Sequence, residues 1–476
     1  GPKPEDNRWY KIAQSAARVA MMVRNVSVTY KNTYAMSISG FRPEIGDMLG
    51  QTKGASGFAP GLDFAFGMTG DSYINKALDN GWLVSDSVVS PATTNAQEDL
   101  QIRMTLEPVR DLKIDLNAGR TRNKSNQIQF MYEGMPQIQS GNFNMTVITI
   151  GSAFERRSAS NGYSSSSFNR FLGNLDIIKN RIENMYAGVP YQGQSGLNQQ
   201  PLYQVNKYSS DVMIPAFLAA YTGRSASNSA LDLFPGILSM MPNWRVTYSG
   251  LSKLEFFKKY FKSVTLNHAY RSTYSVGSYS TFQNFHSYMG DWGFVDDIQT
   301  GIPVPSSMYD VSAVSINEQF SPLLGVDVTF KNGITTKVEY KTTRILNLSL
   351  AANQIVESST KDFVLGMGYK IMGLELFPGR NKKDSKNKIS NDLALRMDVS
   401  FRNQSALARD IQQVTTQATS GNKALKISFS ADYTLSRLLS VSFYYDRQKN
   451  TPLVSASSYP VTSADFGMRL KFSLTR

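Results

Sequence analysis

The sequence predicts an all-β transmembrane fold, the antiparallel wall of an outer-membrane β-barrel carrying helical and irregular insertions. Three observations point there. Apolar and polar residues alternate with period two along many segments, the pattern of a strand whose two faces meet different surroundings. The polar faces of those segments are heavily charged, as with Arg103, Lys113, Asp115, Arg396, Asp398, Lys426, Asp432, Arg469 and Lys471. Many segments also run longer than the ~5–6 residues of ordinary strands and approach the ~9–11 that cross a bilayer at a tilt. A soluble β-sandwich alternates as well, because one face packs inward, but it needs neither the charge nor the length.

The clearest segment is the last. Phe466, Met468, Leu470, Phe472 and Leu474 share one face, opposite Gly467, Arg469, Lys471, Ser473 and Thr475. These five apolar residues are the candidate lipid-facing insertion strand. Leu324, Val326, Val328 and Phe330 alternate with Gly325, Asp327, Thr329 and Lys331, and the pattern resumes at Ile334, Thr336, Val338 and Tyr340. It recurs at 100–107, 112–118, 363–371, 393–402, 425–435 and 439–445. Weaker candidates lie at 25–41, 127–133, 142–154, 244–250, 263–275, 278–287 and 311–320, for 16 to 18 strands in all. Turn lengths keep the phase. A three-residue loop Lys331–Gly333, with Gly333 in the left-handed region, pairs Phe330 with Ile334 and holds the apolar faces together. Ser436–Leu438 does the same between Leu435 and Leu439, and 107–111 sets Leu106 opposite Leu112.

Several stretches break the rhythm. Residues 1–24 form an N-terminal segment read as helical over 7–23, and 25–476 form the barrel portion. Two insertions interrupt it, 41–98 with a Gly-rich part and a helix at 72–80, and 155–243 with helices at 171–186 and around 211–221. Leu175, Ile178, Ile182 and Met185 lie on one helical face with Leu172, and this is the candidate gating or partner-docking helix. A shorter helix is expected at 251–262. Long connections of this kind in a barrel act as plugs, gates or docking surfaces, and these two are expected to fold against the lumen or the rim.

Composition agrees and excludes much. The chain of 476 residues suffices for two or three ordinary domains or one large barrel. Hydrophobic residues make up 41% and mean hydropathy is −0.28, the average expected when each strand shows one face to lipid and one to water. The 24 Tyr and 26 Phe suffice for interfacial girdles. No cysteine is present, so disulfides and thiolate chemistry are ruled out. The net charge of +13 fits Lys and Arg lining a wet interior or sitting at membrane edges. Basic residues do not form an aromatic-interleaved nucleic-acid face. No apolar run approaches the ~20 residues of a spanning helix. The start, Gly1-Pro2-Lys3-Pro4-Glu5-Asp6, lacks a secretory signal, which suggests a mature product or a fragment of something longer. His268 and His286 lack ligand-like spacing, no serine lies in a nucleophile-elbow motif, and the Gly54–Gly61 run lacks a phosphate-loop ending. No catalytic residue, cofactor or metal site is expected.

The irregular segments carry a resemblance. Asn7–Ala13, Arg24–Tyr30, Phe58–Gly67, Gly81–Leu83, Ser152–Glu155, Phe168–Asn174, Asn347–Leu350, Asn353–Ile355 and the closing Ser463–Arg476 resemble the C-terminal part of the SprA/Sov family. These are outer-membrane translocons of the type IX secretion system of Bacteroidota, linked to gliding motility. The resemblance implies a very large single-chain barrel, of which this chain supplies about half, passing folded cargo proteins with C-terminal signal domains from periplasm to cell surface. It implies a PorV-like barrel protein, a periplasmic plug protein, secreted cargo, outer-membrane lipids and other type IX components as partners. Energy comes from an inner-membrane motor, so no nucleotide site is implied. The alternative is an outer-membrane porin or TonB-dependent-type nutrient transporter, although no plug domain of that class is visible.

Overall fold

A computed structural model describes residues 21–44, 46–54, 57–84, 89–131, 137–155, 158–187, 189, 205–227, 232–297, 301–374, 392–435, 439–454 and 459–472. In chain order the strands are β1 (Val23–Ser37), a small hairpin of β2 (Thr52–Gly54) and β3 (Gly57–Ala59), β4 (Ala92–Val109), β5 (Leu112–Ile128), β6 (Ile138–Thr146), β7 (Asn243–Tyr248) and β8 (Phe261–Thr281). A second small sheet holds β9 (Phe285–Met289), β10 (Trp292–Asp296) and β11 (Pro303–Ser307). Then come β12 (Tyr309–Val311), β13 (Ala313–Phe330), β14 (Thr335–Ser349), β15 (Gln354–Ile371), β16 (Leu393–Asp410), β17 (Thr415–Thr434), β18 (Leu439–Pro452) and β19 (Val461–Phe472).

The main sheet is antiparallel throughout and runs β1-β4-β5-β6-β8-β13-β14-β15-β16-β17-β18-β19. Among the described residues β1 pairs only with β4 and β19 only with β18, so the sheet is an open wall. It has twelve strand positions where the sequence reading expected 16 to 18, because segments read as separate strands join. The 263–275 and 278–287 candidates lie largely in β8, a strand of 21 residues. The 311–320 and 324–331 candidates fall chiefly in β13, bridged by an irregularity between Phe320 and Leu324.

One strand position is split. β5 pairs with β7 through 112–117 and with β6 through 120–127, and β8 meets the same two partners in turn. β6 and β7 therefore lie end to end as one strand, and the chain leaves the wall at mid-height after Thr146 and rejoins it at Asn243. The break is closed by hydrogen bonds. Val147 N donates to Ser272 O, Met241 N to Thr146 O, and Ser272 N to the Asn243 side-chain carbonyl. The insertion thus begins before the 155 expected from sequence, and β4 takes up 92–98, which had been read as insertion.

Turns explain the phase. Gly333 has φ +89, and Phe330 N donates to Ile334 O, which gives the expected three-residue hairpin. At the other predicted hairpin the pairing differs. Val109 faces Leu112 and Leu106 faces Ile114, across a register shift between Leu106 and Val109. A bulge in a tight two-residue turn, and not a five-residue loop, keeps Leu106, Leu112 and Ile114 on one face. Ser436–Leu438 lies outside the described residues, although Leu435 N donates to Leu439 O as expected. The helix expected over 7–23 also lies almost wholly outside them, with Met21 and Met22 helical before β1.

Candidate functional site

Directly paired residues lie on the same side of a sheet, so the registers sort every wall residue onto one of two faces. One face carries, strand by strand, Val26, Val28 and Tyr30 of β1, Leu100 to Leu106 of β4 in steps of two, and Leu112, Ile114 and Leu116 of β5. It continues through Leu324, Val326 and Val328 of β13, Val338 and Tyr340 of β14, and Phe363 to Ile371 of β15. On β16 it runs from Leu393 to Phe401, on β17 from Leu425 to Tyr433, on β18 from Leu439 to Tyr445 and on β19 from Phe466 to Phe472. Six to eight residue steps at ~3.3 Å make this band about 20–26 Å long, close to the ~25 Å apolar belt of a membrane barrel. Aromatic rings edge it on both sides. Phe363, Phe401, Tyr445 and Phe466 stand at one border, Tyr369 and Phe472 near the other, all exposed.

The opposite face is polar, and its charges are mixed. Arg402 Nε donates to Asp362 Oδ1 at 2.7 Å and a second nitrogen to Oδ2 at 3.0 Å. Glu339 lies between Lys337 at 3.0 Å and Lys341 at 2.9 Å. Asn267 donates to Asp327 at 2.6 Å and Thr105 to Asp115 at 2.7 Å. Such a surface is hydrated and locally neutralised, which suits the lining of an aqueous channel.

The strands are about twice as long as the band. β16 has 18 residues, or ~59 Å at ~3.3 Å each. The band occupies the end that holds the turns Arg110–Asp111 and Lys331–Gly333 and the connection 372–392. Beyond it, the same face is covered by the insertions from β1 to β15 but not on β17 and β18. The helix Ser166–Met185 buries Phe171, Leu175, Ile178 and Ile182, each at most 2% exposed, against the helix Ser210–Thr222. The second helix is buried from Asp211 to Tyr221, as an all-round apolar helix must be. It belongs to one core with wall residues Phe143, Tyr274, Ile316, Leu346 and Ile355. Segment 38–91 packs similarly: Tyr73, Ile74 and Ala77 cluster with Ala92, Ile128 and Met36 of the wall. Of the two places expected for the insertions, lumen or rim, the packing selects the rim, on the side of the apolar band, because the apolar in-phase residues of the distal strand halves lie on that face.

Two buried ion pairs fasten the large insertion. Glu318 of β13 and Arg344 of β14 meet at 2.7 Å, 2% and 5% exposed. Thr149 Oγ1 donates to Glu318 at 2.6 Å and Tyr270 OH at 3.0 Å, while Arg344 donates to Ser152 O and Oγ at 2.7 and 2.8 Å. Arg409 of β16, wholly buried, pairs with Glu357 of β15 at 3.2 Å and donates to Tyr163 O at 2.8 Å. Glu155 accepts hydrogen bonds from Ser165, Ser166 and Ser167, at the start of the helix Ser166–Met185. Burial opposes its ionisation, but those donors prevail and hold its carboxyl at about 2. Asp211 accepts from Ser306 and Ser307, yet burial leaves its carboxyl above the usual range. A cavity of ≈ 490 Å³ between insertion and wall is lined by Glu155, Glu318, Arg344, Glu357, Lys361 and Asn403 among others. Its carboxylates are committed to guanidinium and hydroxyl partners, so the arrangement is one of anchoring.

Of the residues singled out by sequence, Phe466, Met468, Leu470 and Phe472 are 58–81% exposed on the apolar face; Leu474 lies outside the described residues. Leu175, Ile178 and Ile182 are spent on the internal core, and only Met185 of that stripe is open, at 38%. His268 Nδ1 contacts Leu323 O at 2.6 Å and His286 stands 3.3 Å from Asp296, well apart in the fold. Sequence reasoning missed Glu318, Arg344, Glu357 and Arg409. The available signal was a charge in phase with apolar residues, as in Val314, Ile316, Glu318, Phe320.

No family profile and no curated protein matches this chain. Among solved structures, OmpT, an outer membrane protein of Vibrio cholerae, aligns over 94% of this chain and 99% of its own at 8% identity, with a TM-score of 0.21. Its loop L8 deletion mutant gives 0.20, and an anion-selective porin from Comamonas acidovorans 0.11, both at 8% identity. Overlaps this slight add nothing to what the registers and faces establish, an antiparallel β-barrel wall with an apolar belt.

Proposed function

We propose that this chain is part of the wall of an outer-membrane, protein-conducting translocon of the type IX secretion system, as its resemblance to the SprA/Sov family implies. The observation that carries the reading is the division of the wall. The polar, ion-paired face is left clear by the described insertions, which all pack on the side of the apolar belt. A wide lumen lined in this way passes a folded protein without chemistry of its own. Because the insertions stand on the outward side, the seal against leakage falls to the periplasmic plug and the PorV-like partner that the resemblance implies. We take the end of the wall that carries the insertions to be the cell-surface end, since the long loops of such barrels are usually extracellular.

The test is depletion of the protein in a Bacteroidota host. Cargo bearing the C-terminal signal should accumulate in the periplasm while small-nutrient uptake stays normal. If uptake failed first and cargo still reached the surface, the porin or nutrient-transporter reading would replace this one.

A further inference from the structure

We infer that the outward face of β15–β18 carries a binding rim for phosphate-bearing lipid headgroups in the leaflet next to the insertions. On the apolar face the belt ends in a basic residue on β15, β17 and β18, and in Asn403 on β16. Lys361 follows Phe363 on β15, Lys423 follows Leu425 on β17, and Arg447 and Lys449 follow Tyr445 on β18. The belt itself steps along the strands between β17 and β18, as tilted strands require, and the basic border steps with it. All four side chains are exposed, Lys361 beside the cavity that separates the insertion from the wall. Among the described residues none of the four is in an ion pair. The only acid among the described residues on this face of β15–β19 is Glu357, and it is tied to Arg409.

This arrangement differs from the rest of the wall in two ways. Basic residues on the polar face are interleaved with acids, as Arg402 is with Asp362 and Lys370 with Asp392. At the opposite border of the belt β15–β19 end in Ile371, Leu393, Tyr433, Leu439 and Phe472, with no Lys or Arg among the described residues of that face. Among the described residues on this face of β15–β19, cations outside ion pairs therefore stand at one border of the belt, next to its aromatics. Long cationic side chains beside aromatics at the edge of an apolar belt extend into the headgroup layer, where an anionic phosphate is their complement.

The inference rests on the belt lying in a membrane, and the experiment separates the two. The full-length protein is purified and placed in nanodiscs of phosphatidylcholine with or without phosphatidylglycerol. A rim variant, Lys361→Gln with Lys423→Gln, Arg447→Gln and Lys449→Gln, is compared with an equal charge change on the polar face, Arg396→Gln with Lys426→Gln, Arg469→Gln and Lys471→Gln. Membrane fractionation and heat-modifiable migration check insertion and folding. Wild type and the polar-face variant should show a higher unfolding temperature with the anionic lipid, and the rim variant should lose most of that shift while remaining folded in the membrane. An equal shift in all three, or an equal loss in both variants, overturns the lipid rim. An unchanged shift with loss of a co-purifying acidic protein from the rim variant overturns it in favour of a protein partner. Wild type found outside the membrane would defeat the membrane reading itself.

Discussion

Arg344→Met should loosen the insertion between 147 and 242 while leaving the wall folded. The guanidinium is 5% exposed and 2.7 Å from Glu318, itself 2% exposed. Its removal strands a buried carboxylate with only Thr149 and Tyr270 as donors and deprives Ser152 O and Oγ of theirs. Breaking one side of a buried pair costs about 3–5 kcal/mol. At ~1.4 kcal/mol per factor of ten, amide exchange through opening of the insertion should quicken roughly 10²- to 10⁴-fold. The assay is hydrogen exchange on the intact protein, read at the amides of Phe168–Met185 against those of β16 and β17. The double variant Glu318→Gln with Arg344→Met removes the stranded charge and should recover at least half of the protection. Unchanged exchange in the single variant, or a double variant no better than the single, would refute the anchoring role.

Other outcomes follow from the same geometry. Phe429→Arg, at the middle of the belt on β17, should lower outer-membrane levels, since a cation near the bilayer midplane costs about 2–4 kcal/mol; Ser428→Arg, one residue away on the polar face, should not. Leu470→Asp with Phe472→Asp should impair insertion of the terminal strand, visible as loss of the heat-modifiable folded form. Gly333→Val forces a β-branched residue to φ +89 and should destabilise the β13–β14 hairpin by about 1–3 kcal/mol in denaturant melts. Glu155 has its folded value lowered to about 2 from an ordinary 4.5. Its contribution is therefore whole above pH 4.5 and lost as pH falls toward 2, so protease sensitivity of the insertion should rise in that window in wild type and be high already at neutral pH in Glu155→Gln.

The belt half of each strand was legible in sequence because lipid on one side and water on the other impose strict alternation, as at Phe466–Phe472 or Leu393–Phe401. The other half was not. On β15 and β16 the outward face there reads Glu357, Ser359, Asn403, Ser405 and Arg409, because it faces an insertion that supplies its own polar partners. Contacts of this kind, such as that of Arg409 with the carbonyl of Tyr163, join residues far apart in sequence and leave no local period. The split of one strand into β6 and β7 was equally hidden, since each half alternates like a short strand and nothing local records that the two lie end to end. The Gly333 hairpin was readable from its own residues, whereas the bulge at 106–109 depends on cross-strand pairing. The helical stripe Leu175, Ile178, Ile182 was visible, but a stripe does not say what covers it; the helix Ser210–Thr222 does.

The division of the wall into a lipid face and a water face is the central claim, and the absence of native cysteine lets single thiols report on it directly. Single cysteines at 425–432 of β17, in the full-length protein embedded in a bilayer, would be labelled with a water-soluble maleimide in parallel with a bilayer-partitioning one. The account predicts a period of two: Lys426, Ser428, Ser430 and Asp432 positions react from water, and Leu425, Ile427, Phe429 and Ala431 positions only from lipid. Equal aqueous labelling at all positions, or the reverse alternation, would contradict it.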